Sequence, residues 1–156
     1  MLTKEALNFL KGKSFINVAT CGEGLRPNVA PKFLLKIENN YIYLIDYVRN
    51  TTLKNIEINS KVSISSINLD TLKGYQVNGL AEIIKKERKS IYKALLEEYE
   101  QKQIDLSTRR LIEALHDQKK SSNYEAEFPK RVAIIKIKVT EAVGISLQGN
   151  LERENF

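Results

Sequence analysis

The chain carries one histidine, His116, and one cysteine, Cys21, so the usual catalytic side chains are scarce from the outset. His116 lies in a charged, helical stretch with no second ligand or paired nucleophile in view, which reads as a surface histidine. Cys21 stands at a strand end before a glycine turn with nothing basic adjoining it, which reads as a structural thiol. One cysteine and one histidine are too few for an ordinary zinc site or an internal disulfide, so no metal is expected. No glycine-rich dinucleotide fingerprint or phosphate loop occurs, and the Glu97-Glu98 pair sits where a solvated helix face accounts for it. What remains is a cluster between residues 26 and 82 suited to an anion. A helix starting near Thr51 would offer unpaired backbone N–H groups and a positive dipole end. The hydroxyls of Thr51 and Thr52 can donate hydrogen bonds, and Lys32 and Lys54 can supply charge if the fold brings them near. Ordinary helix capping beside surface lysines accounts for the same residues equally well.

The elements that must position these groups follow from periodicity. An amphipathic helix opens the chain, with Thr3 as N-cap, Ala6, Leu7, Phe9 and Leu10 in one stripe, and Gly12 at its end. Strands are expected at Ser14–Thr20, Val29–Ile37, Tyr41–Ile45, Lys61–Ile67 and Tyr75–Ile84. Pro31 marks an edge or bulge in the second, and Gly79 marks a bulge or close approach in the fifth. Between the third and fourth, Asn50 or Thr51 caps a short helix that turns Leu53 and Ile56 inward. Two amphipathic helices follow, one over Ile91, Leu95 and Tyr99 and one from a cap at Ser107 or Thr108 through Leu111, Ile112 and Leu115. A polar surface loop at 117–130 leads into a last strand, Arg131–Val143.

Length and composition set the frame for this reading. A chain of 156 residues, 42% hydrophobic and 28% charged, suits one domain over 1–156 with a helical insert at about 87–116. Its apolar runs fall far short of the roughly 20 residues that span a bilayer. Met1 to Lys11 lacks the apolar core of a secretory signal, so the expected location is cytoplasmic, away from membranes. The net charge of +6 is spread thinly, with 10 basic and 7 acidic residues in 1–84, 10 and 9 in 85–128, and 5 and 3 in 129–156. That favours a solvated, mildly basic surface over a nucleic-acid face.

The succession Arg26-Pro27-Asn28-Val29-Ala30-Pro31-Lys32, the strand Tyr41 to Asp46, Asn50-Thr51-Thr52-Leu53-Lys54-Asn55-Ile56, Lys61-Val62-Ser63-Ile64 and Gly79-Leu80-Ala81-Glu82 resembles the FMN-binding split barrel of the pyridoxamine 5'-phosphate oxidase-like superfamily. The resemblance covers roughly residues 5–84 and the last strand. It implies a mainly β fold with peripheral helices, an antiparallel split β-barrel of six or more strands. It further implies a homodimer with flavin mononucleotide (FMN) at the subunit interface and a flavin-dependent oxidoreductase acting on a small molecule. Backbone groups of Ala30, Pro31 and Lys32 would approach the isoalloxazine ring, and Ile45, Asp46 and Tyr47 would line its other contacts. The phosphate would lie near Lys32, Thr51, Thr52, Lys54 and Asn55, with Gln76 reaching in from the partner subunit.

This chain departs from the oxidase in its last ten residues, which hold Arg153 but no histidine, so pyridoxine phosphate is not the expected substrate. Thr51 and Thr52 partly replace the basic residues that hold the flavin phosphate in the oxidase. No catalytic side chain is identifiable, which suits hydride transfer by a bound flavin. The alternatives are a module that binds flavin, deazaflavin or haem without turnover, haem needing His116 as its axial ligand, and a small basic barrel that binds nucleic acid.

Overall fold

Alternation of apolar and small polar residues decides which side of each strand faces inward, and the strands close on that side. In the computed structural model, which describes residues 2–47, 51–116, 132–145 and 152–155, the chain divides into two compact units. One comprises residues 1–84 with 132–156, the other residues 85–131.

The first unit contains α1 (Lys4–Lys11), β1 (Phe15–Cys21), β2 (Pro27–Glu38), β3 (Tyr41–Asp46), α2 (Thr51–Ile58), β4 (Lys61–Ile67), β5 (Gly74–Ile84), β6 (Ala133–Ile145) and β7 (Glu152–Asn155). The strands form one antiparallel sheet in the order β3-β2-β1-β4-β5-β6-β7, and β3 also pairs with β6. Six strands thus close a barrel, with β7 paired to the edge of β6 over Glu141–Gly144, beyond the part that pairs with β3. The fold is mainly antiparallel β, as the sequence implies. Inside lie Val18, Leu34, Ile42, Leu44, Ile64, Val77, Ile135 and Ile137, all buried, joined by Leu2, Ala6 and Leu10 from the α1 segment and by Leu53 and Ile56 from α2. Full burial of one such aliphatic side chain stabilises the fold by about 1.5–3 kcal/mol. Thr3 caps α1 as expected, its Oγ1 accepting from the Ala6 N–H at 3.2 Å.

Pro31 sits where its missing N–H costs nothing. Residues 27–32 pair with β1 alone, since the pairing of β2 with β3 begins at Phe33. Further on, the register shifts between Leu34 and Lys36, so Leu35 is the extra residue of a bulge. Phe33, Leu34 and Leu35 are consequently all buried, and the two-residue alternation breaks there. At Gly79 the register of β5 against β6 also shifts. A Cβ at residue 79 would lie 2.5 Å from the Lys138 carbonyl oxygen, so both readings of that glycine hold.

The second unit holds α3, a single helix over Lys89–His116, where the sequence suggests two. The break expected at Ser107 or Thr108 does not form. No glycine or proline interrupts Lys89 to His116, and the Thr108 hydroxyl donates back to the Ile104 carbonyl at 2.9 Å instead of capping a new helix. The loop expected at 117–130 lies outside the described residues. The last long strand begins at Ala133 and runs to Ile145, two residues past its expected end. β7 is an addition to the expected elements. Its sequence, Glu-Arg-Glu-Asn, carries no β-branched or aromatic residue to announce a strand.

Candidate functional site

β3 ends at Asp46 and α2 begins at Thr51, so the candidate anion site stands at a strand-to-helix junction as the sequence implies. Thr51 and Lys54 are both exposed and, three residues apart, share one face of the helix. Asn50, the alternative cap, lies outside the described residues. Thr52 and Asn55 turn to the opposite face and are buried.

The buried pair meets the β1–β2 hairpin in a small polar hub. Thr20 Oγ1 accepts from Asn55 Nδ2 at 3.1 Å and from Asn28 Nδ2 at 3.4 Å. Asn28 Nδ2 also donates to Thr52 Oγ1 at 3.2 Å. Buried polar side chains need partners, and here three elements supply them to one another. At the far end of α2, Asn59 Nδ2 donates to the Cys21 carbonyl at 3.0 Å. Gly22 completes the fit, since a Cβ there would lie 2.4 Å from Asn55 Oδ1. Replacing Gly22 with alanine therefore displaces the Asn55 amide and costs about 1–3 kcal/mol by overpacking, to be read as a lower urea midpoint with unchanged slope.

Lys32 is buried beside an acidic partner. Its Nζ is 2.9 Å from Asp46 Oδ1, and the two side chains are 3% and 2% exposed. Of the two lysines expected at the anion, Lys54 stands on the exposed face of α2, and Lys32 is committed to an ion pair within the barrel. Asp46 is thereby a structural partner of Lys32, a role its sequence position did not suggest. Ile45 is fully buried. Ala30 is half-buried, Pro31 is exposed, and the half-buried Tyr47 ring lies 6.3 Å from that of Phe33.

Gln76 belongs to another part of the barrel. Register places Pro31, Asn17, Ser65 and Gln76 in one row across β2, β1, β4 and β5. Three strand spacings, about 14 Å, separate Pro31 from Gln76, so one subunit does not bring these two together. Gln76 Nε2 donates to Ser63 Oγ at 3.2 Å and to Asn78 Oδ1 at 3.3 Å. Asn78 in turn donates to Glu141, which also pairs with Arg153 at 3.2 Å.

The outer face around that row has a distinctive charge pattern. The row Pro31-Asn17-Ser65-Gln76-Val143-Arg153 and its neighbour Val29-Ala19-Ser63-Asn78-Glu141-Asn155 contain two charged residues, Arg153 and Glu141, which pair with each other at the β7 edge. On the β3–β6 side, the rows Glu38-Tyr41-Lys138-Leu80-Lys61 and Lys36-Tyr43-Lys136-Glu82 are mostly charged, with Tyr41 and Tyr43 set between the charges. There Lys136 lies 3.3 Å from Glu82 and 4.2 Å from the centre of the Tyr41 ring, the pattern of a solvated surface.

Among the described residues no group of three or more His, Cys, Asp or Glu side chains is arranged to hold a metal ion. None of the described helices is long and apolar enough to cross a membrane. The residues that sequence reasoning missed are Thr20, Gly22 and Asn28. The signal available for Thr20 was its inward register after Ile16 and Val18, which puts a hydroxyl where a core aliphatic is expected.

The family model described as pyridoxamine 5'-phosphate oxidase matches residues 2–143. No curated protein matches the chain. Among solved structures, HupZ of Group A Streptococcus is 22% identical with a TM-score of 0.67, the match covering 97% of this chain and 99% of that one. A Clostridium acetobutylicum protein related to general stress protein 26, of the pyridoxinephosphate oxidase family, is 12% identical with a TM-score of 0.70, over 97% and 92% of the two chains. A haem-binding protein of Mycobacterium smegmatis is 12% identical with a TM-score of 0.62, over 97% of this chain and 57% of its own. At these identities the likeness is one of fold.

Proposed function

The chain belongs to the pyridoxamine 5'-phosphate oxidase family, and from that premise we propose that it is a homodimeric FMN-binding protein, a flavin-dependent oxidoreductase acting on a small molecule. The observation that carries this reading is the exposed face of the first turn of α2. Thr51 offers a hydroxyl and Lys54 a cation at the positive end of the helix dipole, a set suited to a phosphate monoester. Thr52 and Asn55 support the same turn from beneath and leave its outer face to a ligand. The anchoring is rigid enough to hold a phosphate in one place, because α2 is tied to the hairpin at both ends.

Dimerisation has its own support. A sheet face with two charges in twelve positions, both at its β6–β7 edge, on a chain that is 28% charged, has the depletion of charge found at the core of subunit interfaces. Joining two copies through that face would bring Gln76 of one protomer to the other, which answers the separation of Gln76 from Pro31 within a subunit. The expected contacts at Ala30 and Pro31 lie on the strand bordering the same face. A bound flavin supplies the hydride and electron chemistry. The protein's side chains bind its phosphate, fix its ring against the β2 backbone and limit access of water.

The protein purified from cells is expected to be yellow, to release FMN on denaturation as identified by mass spectrometry, and to scatter light as twice the 17.9 kDa of one chain. Lys54→Ala is expected to weaken FMN about tenfold while leaving riboflavin, which lacks the phosphate, unchanged; loss of a charge-assisted hydrogen bond is of this size. A colourless protein that ignores added FMN contradicts the reading. Release of haem or a deazaflavin would replace FMN as the cofactor.

A further inference from the structure

Thr20 sits on the inner side of β1, away from the exposed face of α2, yet its hydroxyl is the acceptor on which two amides converge. Resting on the phosphate reading above, we propose that Thr20, with Asn28 and Asn55, is a positioning residue that sets the selectivity of the site for a phosphorylated flavin without touching the phosphate.

Thr51 and Lys54 are placed only as well as the helix that carries them, and an eight-residue helix has little stability of its own. Asn55 lies one turn below Thr51, so its amide fixes the rotation of the turn that presents Thr51 and Lys54. Asn28 fixes the same turn through Thr52. Both amides belong to one buried group, because both use the Thr20 hydroxyl. Removing that acceptor costs the buried Asn55 amide its Thr20 partner and leaves the Asn28 amide with Thr52 alone. Asn59 also tethers α2, but beyond its C-terminal end and to the backbone carbonyl of Cys21, so it holds the helix in place without setting its first turn.

This difference separates positioning from general stability. A loosened barrel binds FMN and riboflavin worse by the same factor, whereas a rotated first turn penalises only the ligand with a phosphate. The test is the ratio of FMN to riboflavin affinity, by fluorescence titration of the full chain freed of its flavin. Thr20→Val, nearly isosteric, is expected to lower that ratio about tenfold, the lower end of what supporting residues contribute to a ligand site. Thr20→Ser keeps the acceptor and should restore the ratio. Asn59→Ala should lower thermal stability and leave the ratio alone. Should Thr20→Val fail to fold, Asn28→Ala, on a half-buried residue, removes two of the same hydrogen bonds and decides the matter. A wild-type preference for FMN retained by the folded variant overturns the inference alone. A wild type that binds both flavins alike overturns the phosphate reading and the inference with it.

Discussion

Replacing Asp46 with alanine is expected to destabilise the protein by about 3–5 kcal/mol, the cost of leaving a buried charge without its partner. Lys32 and Asp46 are 3% and 2% exposed and 2.9 Å apart, so neither has enough water to absorb the loss. The pair itself need not be strongly stabilising, because desolvation of two ions offsets most of their attraction. The double replacement Lys32→Met with Asp46→Leu should therefore recover most of what the single change loses. Urea denaturation of the three proteins measures this. A loss below about 1 kcal/mol for Asp46→Ala, the range of a solvated surface pair, would show that the pair is not desolvated. Because Asp46 ends the strand leading to α2, the single variant should also bind flavin less well, and the apolar double variant should keep it.

Gly79→Ala is expected to cost about 3 kcal/mol, at the upper end of overpacking effects. The added methyl would lie 2.5 Å from the Lys138 carbonyl oxygen and 2.7 Å from Ile137 Cγ2. The first of these is backbone on the neighbouring strand, so relief requires β5 and β6 to part at the bulge that sets their register. Gly24 is the useful contrast. Its φ of +73° is strained for any side chain, but nothing lies within 4 Å of a Cβ there, so alanine should cost only about 1 kcal/mol. Thermal unfolding of the two variants side by side checks the difference, and equal losses would contradict it.

Much of the barrel was legible because its strands obey local rules. Lys61–Ile67 alternates cleanly and is β4 to the residue, and the Tyr41 run lacks only Asp46. The bulge at Gly79 was legible because a glycine in the interior of a strand run has few other uses. Where the reading failed, the deciding contact is distant or the local signal is mute. α3 is one helix because a threonine that caps well also tolerates a helix interior by bonding back one turn. β7 is a strand only because β6 offers it an edge. At the site, the junction and its exposed Thr51 and Lys54 follow from helix periodicity. The partner of Lys32 does not, since Asp46 is fourteen residues away and only the pairing of β2 with β3 brings them together. The Thr20 hub was hidden for the same reason, being assembled from β1, β2 and α2, which no single stretch of sequence displays.

The claim on which the account turns is that the start of α2 receives a phosphoryl group. A crystal structure of the protein grown with excess FMN measures it directly. The expected result is the cofactor's phosphate within hydrogen-bonding distance of the Thr51 hydroxyl, the N–H groups of the first helical turn and the Lys54 ammonium, with Thr52 and Asn55 still bound to Asn28 and Thr20. A phosphate held at some other part of the barrel, or full flavin occupancy with that helix start turned to solvent, would contradict it.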